Sequence, residues 1–368
     1  MYSRIGVFLS PVHETGQDPH LALRRNLDLV EQLDELNFDE AWFGEHHSLG
    51  WGLVGAPETM IAAASQRTQQ IKLAHGVAPL SWHHPFHVAS RAVHLDQLTR
   101  GRYILGVGPG VPTDARMLGL EPADQRTRLI EALPSVIELV NGEERVTDKT
   151  DWYGLNDARL QLPRYTPGGI EIAIASGGTS LTAPELAGRY GLSMVSFALV
   201  QPGSATSFGL AEQWRTAEES AERHGRTVRR EDWRVALPVH VAETREEAFA
   251  DVRDGFDRWL YNYFGAARGS AESVSTPGRP RSQELDARIE AGGALVGSVE
   301  DVVEGIRTLQ ERTGGFGNLL VYVPDWCSWE KTNRSMELLA RYVAPQFTGT
   351  AVRPQESFDR HVAKLPKR

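Results

Sequence analysis

Short apolar runs alternate along this chain with longer stretches in which apolar residues recur every three or four positions. The runs cover residues 5–9, 40–44, 71–77, 103–108, 170–175, 193–199, 233–242 and 318–323. Between the first two, Leu23, Leu27 and Val30 form one stripe, with Leu29, Leu33 and Leu36 beside it. That spacing predicts a helix with one buried face. Pro57 stands where the next helix would start, ahead of Met60, Ile61 and Ala64. Pro85 opens another, with Val88, Ala92 and Leu95 on its stripe, and Thr99-Arg100-Gly101-Arg102 reads as its basic C-terminus. Further helical spacings fall at 124–140, 182–190, 208–224, 244–264, 298–313 and 330–343.

Strand candidates that each precede a helix predict βαβ units and a parallel sheet. With right-handed crossovers, eight such units close into an α/β barrel of the (β/α)8, or TIM, type. An open doubly wound sheet is the competing arrangement. The regular spacing breaks twice, after strands 4 and 7. Residues 142–169 are polar and contain Gly and Pro, and residues 265–297 are rich in Gly, Ser, Pro and Arg before a short helix. Both read as insertions over a barrel face, where long loops commonly act as lids. The whole predicts one barrel domain over 1–345, followed by a surface tail over 346–368.

Composition narrows the function. Lys plus Arg is 39 against 48 Asp plus Glu, a net charge of −9, so the basic face that nucleic acid requires is not expected. Cys327 is the single cysteine, which excludes an intramolecular disulfide and a cysteine-based metal site. The chain begins directly with a strand-like run, and no apolar stretch approaches the roughly 18 residues of a membrane span. These features predict a cytoplasmic protein with no membrane partner.

In barrels the working groups stand at the C-terminal ends of strands. That rule selects Glu45-His46-His47-Ser48, Trp82-His83-His84, Gly106-Val107-Gly108, Ala175-Ser176-Gly177-Gly178-Thr179 and Pro324-Asp325-Trp326. A histidine at the end of strand two suits general acid–base work, because imidazole titrates near working pH. The neighbouring histidines read as hydrogen-bonded packing residues. His83 and His87 are four apart, but Pro85 lies between them and no zinc-type spacing occurs, so no metal is assigned. Gly106, Gly108 and Gly110 lack the dinucleotide spacing and read as letting a strand end approach a neighbour closely. Ser176 to Ser180 joins a strand to a helix. Its backbone N–H groups and hydroxyls suit a phosphate, and an ordinary strand-to-helix turn is the other reading. Trp51, Trp82, Trp152, Trp326 and Trp329 stand in or beside loops of the same face, where rings can wall a water-poor pocket.

Several of these segments together resemble the bacterial luciferase-like family of flavin-dependent monooxygenases, over about residues 1–345. They are Ala41 through His47, Ile71 through Val77, His84-Pro85, Leu95 through Arg102, and the Ser176 turn with Ala187 through Leu192. Asp151-Trp152-Tyr153 and Leu155 through Leu162 are similar to the branch typified by limonene 1,2-monooxygenase. The resemblance implies a barrel that uses reduced FMN and O₂, through a flavin hydroperoxide, to oxygenate a lipophilic small molecule such as a terpene or an aromatic polyketide. His46 matches the family's catalytic histidine, with Glu45 beside it. Gly76 and Val77 match a non-prolyl cis peptide beside the flavin ring. Gly108, Ala175, Ser176, Gly177, Gly178 and Thr179 match cofactor-binding positions, and His47, Trp51, Trp82, Phe197 and Trp326 form the implied substrate pocket. Luciferases carry a phosphate-binding arginine after strand four. Pro109 takes that place here, so Arg116 or Arg126 would have to supply the charge.

The chain shows no nicotinamide-binding domain of its own. A separate NAD(P)H:flavin reductase is therefore the expected partner, and a homodimer the expected assembly. The alternatives are a deazaflavin-dependent oxidoreductase that transfers hydride without O₂, a metal-dependent hydrolase on the same barrel, and a non-catalytic flavin-binding relative.

Overall fold

The computed structural model describes residues 4–198 and 209–362. Eight parallel strands pair in chain order: β1 (Arg4–Leu9), β2 (Glu40–Phe43), β3 (Lys72–His75), β4 (Tyr103–Gly108), β5 (Glu171–Ser176), β6 (Ser193–Phe197), β7 (Trp233–Val241) and β8 (Asn318–Val323). β8 returns to β1, so the sheet closes into the barrel that the alternation predicted. Each predicted run holds one strand; Leu199, the last residue of the sixth run, lies outside the described residues.

Strand alternation sorts the core into two layers. Ile5, Val7 and Leu9 of β1 pack outward against the helices, in one cluster with Leu73, Leu105 and Ile174. Phe8 points inward, with Trp42, Ile104, Val195 and Leu320. The interior floor, at the N-terminal ends of the strands, is ionic. Arg234 is fully buried and holds Glu40 at 2.7 Å and Glu171 at 2.8 Å, while Lys72 reaches Glu171 at 3.4 Å. Burial opposes the charge on Arg234, yet the two carboxylates outweigh it and raise its pKa. Its guanidinium also lies over the Trp42 ring at 5.3 Å. A closed floor leaves the opposite rim as the open end.

The helix signals act as read at Pro57 and Pro85, which occupy the first turns of Pro57–Ser65 and Pro85–Thr99. Arg100 ends the second of these in the left-handed region at φ 55°, followed by Gly101 at 83°. Three features depart from the sequence reading. The third run holds a strand only as far as His75; the Gly76–Val77 peptide after it is cis, as the resemblance implied, and Ala78–Pro79, beyond the run, pairs separately with β4. The first insertion is a flank rather than a lid. Its hairpin, Val146–Lys149 with Gly154–Ala158, hydrogen-bonds the helix Asp124–Asn141 through Ser135 to Asp148 and Tyr153 to Glu131. Tyr165 and Thr166 are tied to Asp96 near the far end of helix Pro85–Thr99. The tail contains an amphipathic helix, Val352–Val362, with no buried residue. The second insertion does cover the open rim. Helix Arg245–Asp257 runs on through a π-helical stretch, Arg258–Phe264, and the segment returns through helix Glu284–Glu290 to a short strand, Leu295–Gly297, beside β7. Among the described residues no helix is long and apolar enough to cross a membrane.

Candidate active site

β2 ends at Phe43 and delivers His46 to the rim, where its backbone N–H donates to the Val54 carbonyl at 3.0 Å. Gly52 packs so tightly against this stretch that a Cβ there would fall 2.8 Å from the His46 backbone. The imidazole Nδ1 lies 3.1 Å from Asp114 Oδ2. Asp114 is fully buried on the short helix Pro112–Met117, and Ser48 donates to its other oxygen. Burial raises the Asp114 carboxyl, but hydrogen bonds from His46 and Ser48 outweigh it and hold the pKa below the usual range. A carboxylate there accepts Nδ1–H, leaving Nε2 as the reactive nitrogen. Among the described residues Nε2 makes no hydrogen bond. Tyr263, from the π-helical stretch, sets its ring edge-to-face with His46 at 6.5 Å. Burial raises the Tyr263 phenol far above its ordinary value, so it stays protonated.

Glu45 points away from His46. Its Oε1 accepts from His83 Nε2 at 2.8 Å, His47 Nε2 at 3.0 Å and Trp82 Nε1 at 3.2 Å. Burial raises this carboxyl too, and the three donors outweigh it. Glu45 therefore ties the loops after β2 and β3 together. His75, nearby, donates or accepts with Tyr103 at 2.6 Å. Among the described residues no group of three His, Cys, Asp or Glu is arranged to hold a metal ion.

The barrel mouth gathers several of the residues singled out from sequence. A Cβ on Gly76 would strike the Phe8 ring at 2.5 Å, and one on Gly108 would strike Val77 at 2.8 Å and reach Ala175 at 3.8 Å. Glycine at 76 lets the chain after β3 pass Phe8 of β1, and glycine at 108 lets the end of β4 lie against Val77. Phe8 stacks edge-on with Phe197 at 5.1 Å. Phe197 in turn walls a cavity of about 220 Å³ at the rim, shared with Phe256, Trp259, Phe264, Trp326 and Gly177. Tyr263 packs on Phe264 at 5.0 Å, so one ring separates His46 from this wall.

The turn after β5 fits a phosphate. Ser176 Oγ is buried with no hydrogen-bond partner among the described residues. Gly177 has nothing within 4 Å of where a Cβ would be, and Gly178 takes φ 75°. Thr179 is exposed, and Ser180 Oγ accepts from the Thr182 N–H at 3.1 Å, just ahead of the following helix. An orphaned hydroxyl beside open backbone N–H groups is the donor set that the phosphate end of FMN requires.

The comparisons with known proteins show the family. The sequence profile described as luciferase-like monooxygenase matches residues 3–315. The chain is 48% identical to 4-hydroxyprotoasukamycin monooxygenase of Streptomyces nodosus subsp. asukaensis, over 94% of this chain and 92% of that one. It is 45% identical to limonene 1,2-monooxygenase of Rhodococcus erythropolis, over 94% and 86%. The chain belongs to the luciferase-like monooxygenase family. It is also similar to a solved structure with FMN, the oxygenating constituent of 3,6-diketocamphane monooxygenase from Pseudomonas putida. That likeness has a TM-score of 0.76 and 26% identity, and covers 94% of this chain and 99% of that one.

Within this luciferase-like monooxygenase, the residues expected in a substrate pocket separate. Phe197 and Trp326 line the cavity. Trp51 instead packs on Tyr263 at 5.7 Å, Trp82 against Gly110, and His47 against Gly55. His47 and Trp82 both donate to Glu45, next to His46 in the chain. Trp152 lies on the flanking hairpin beside Tyr153, and Trp329 beneath Arg25. Sequence reasoning did not find Asp114 or Tyr263, and it named Ser48 only as the end of the Glu45–Ser48 run, without a role. Asp114 had one available signal, its place in the loop after β4. Nothing local distinguished it from other acidic residues at the rim.

Proposed function

We propose that this monooxygenase is the oxygenating half of a two-component system that inserts one atom of O₂ into a lipophilic small molecule, using FMN reduced by a separate NAD(P)H:flavin reductase. One observation carries the reading: an aromatic cavity is lined by Gly177 of the Ser176–Thr179 turn and by Phe264, and Phe264 packs on Tyr263, whose ring faces His46. Ser176, Gly177, Gly178 and Thr179 would hold the cofactor phosphate, and Gly76, Val77, Gly108 and Ala175 would border its ring. Bound reduced FMN supplies the activation of O₂. The chain supplies orientation, dryness and proton control. Five aromatic rings line the cavity and make its wall apolar, which disfavours water there. Asp114 fixes the His46 tautomer, so Nε2 takes a proton when neutral and returns it when charged. Tyr263 stays a neutral donor beside it. A terpene or an aromatic polyketide suits such a wall, and the names of the two close relatives, together with the oxygenating constituent of the FMN-bound structure, support the class.

With chemically reduced FMN and isotopically labelled O₂, the product is expected to carry one labelled oxygen. His46→Ala should slow that reaction by roughly 10²–10⁴. Label-free product sinks the reaction class; an unchanged rate sinks the role of His46. The purified chain with NADH and FMN should oxidise little NADH until a flavin reductase is added, and brisk oxidation without one would refute the two-component assignment.

A further inference from the structure

We propose that Arg288, on the insertion after β7, supplies the positive charge that faces the flavin phosphate at the Ser176–Thr179 turn. The inference rests on the reading of that turn as a phosphate site. Arg288 and Gly177 line the same cavity, although they lie on different sides of the barrel in sequence. Among the described residues Arg288 is the one charged side chain in that lining. Arg116 and Arg126, the cations first suggested by sequence, are both exposed and neither lines it.

A phosphomonoester carries a charge of about −1.5 to −2 near neutral pH. Placing that charge against an aromatic wall is costly without a paired cation. The groups of the turn itself are neutral: the unpartnered Ser176 hydroxyl, the Gly177 backbone and the exposed Thr179. Arg288 meets the need as a fixed group rather than a flexible one. Its side chain is 12% exposed, Nε donates to Glu284 Oε1 at 3.0 Å, and Nη2 donates to the Val274 carbonyl at 2.6 Å. Glu284 is fully buried and is held by the Thr276 N–H at 2.9 Å and the Thr276 hydroxyl at 2.7 Å. The guanidinium is thus set in place before any anion arrives, and little side-chain freedom is lost on binding. The same insertion contributes Val274 and, through its π-helical lead-in, Phe264 to the cavity. Phosphate recognition and closure of the aromatic wall would then depend on one segment.

Anaerobic titration calorimetry with reduced FMN and reduced riboflavin tests this, because the two ligands differ only in the phosphate. Wild type should prefer FMN. Arg288→Gln should weaken FMN binding about tenfold or more while leaving riboflavin within about twofold, and Arg288→Lys should fall between. Ser176→Ala should also lose FMN preferentially. If Arg288→Gln keeps the FMN preference while Ser176→Ala loses it, the turn binds phosphate and the assignment of Arg288 is overturned. Equal loss of both flavins in Arg288→Gln overturns it as well, since that marks a structural role. A wild type that does not distinguish FMN from riboflavin overturns the phosphate reading itself, and Arg288 with it.

Discussion

At the scale of single residues, His46 depends on a carboxylate that contributes no atom to the cavity lining. Asp114 sits 3.1 Å from Nδ1 and is wholly buried, so its charge exists only because His46 and Ser48 offset the loss of water. Asp114→Asn keeps the volume and removes the charge. Under the proposed role it should lower kcat by roughly tenfold to a hundredfold, within what a general acid–base supplies, with little change in flavin affinity. Rapid-mixing kinetics with reduced FMN, beside a thermal melt, would check it; a loss of folding with no separate kinetic effect would count against it. Glu171 allows a pH prediction. Burial raises this carboxyl, but Arg234 and Lys72 outweigh it and hold it at about 2, against an ordinary 4.5. The folded value is depressed, so the stabilisation is complete above about pH 4.5 and is lost as pH falls towards 2. A shift of that size corresponds to about 3 kcal/mol. Urea midpoints should drop across this window in wild type and drop less in Glu171→Gln.

At the scale of elements, close backbone contact sets the tolerances. Helices Thr182–Tyr190 and Leu210–Arg223 touch at Gly188, where a Cβ would fall 2.2 Å from the Ala217 carbonyl and 2.6 Å from the Ala221 nitrogen. Alanine favours a helix by about 1 kcal/mol over glycine. Both obstacles are backbone, so the clash should win and Gly188→Ala should destabilise by roughly 1–3 kcal/mol, read as a lower melting temperature. A stabilised variant would show that the two helices can separate freely. The strands and most helices were legible because their signals are local: a run of apolar residues, a proline in the first turn, a glycine after the last. The third run misled in part. Ile71 through Val77 is uniformly strand-like, and nothing in its composition marks the break after His75, which is set by how β3 must pass Phe8 and β4.

At the scale of the whole molecule, the charged floor and the aromatic rim divide stability from chemistry. Glu40 and Arg234 are 194 positions apart and both buried. Removing one partner leaves the other charged in a dry barrel, which typically costs about 3–5 kcal/mol. The outer helix Val352–Val362 has the opposite standing. None of its residues is buried, so truncation after Gly349 should leave the melting temperature within about 2 °C of the full chain. A fall of several degrees would show that this helix holds the barrel together.

The order of hydrophobic runs, by itself, determined that strands and helices alternate, that eight units can close, and that the Glu45–Ser48 and Ser176–Ser180 runs stand after strands. Those conclusions follow from spacing over a few residues, which the backbone obeys wherever the chain goes. Only the closed barrel decided that Asp114 orients His46 across 68 positions, that Glu45 faces three donors instead of the cavity, and that Arg288 shares a wall with Gly177. Each of these depends on which distant loops the closed sheet carries to one rim, and partners so far apart leave no periodic trace along the chain.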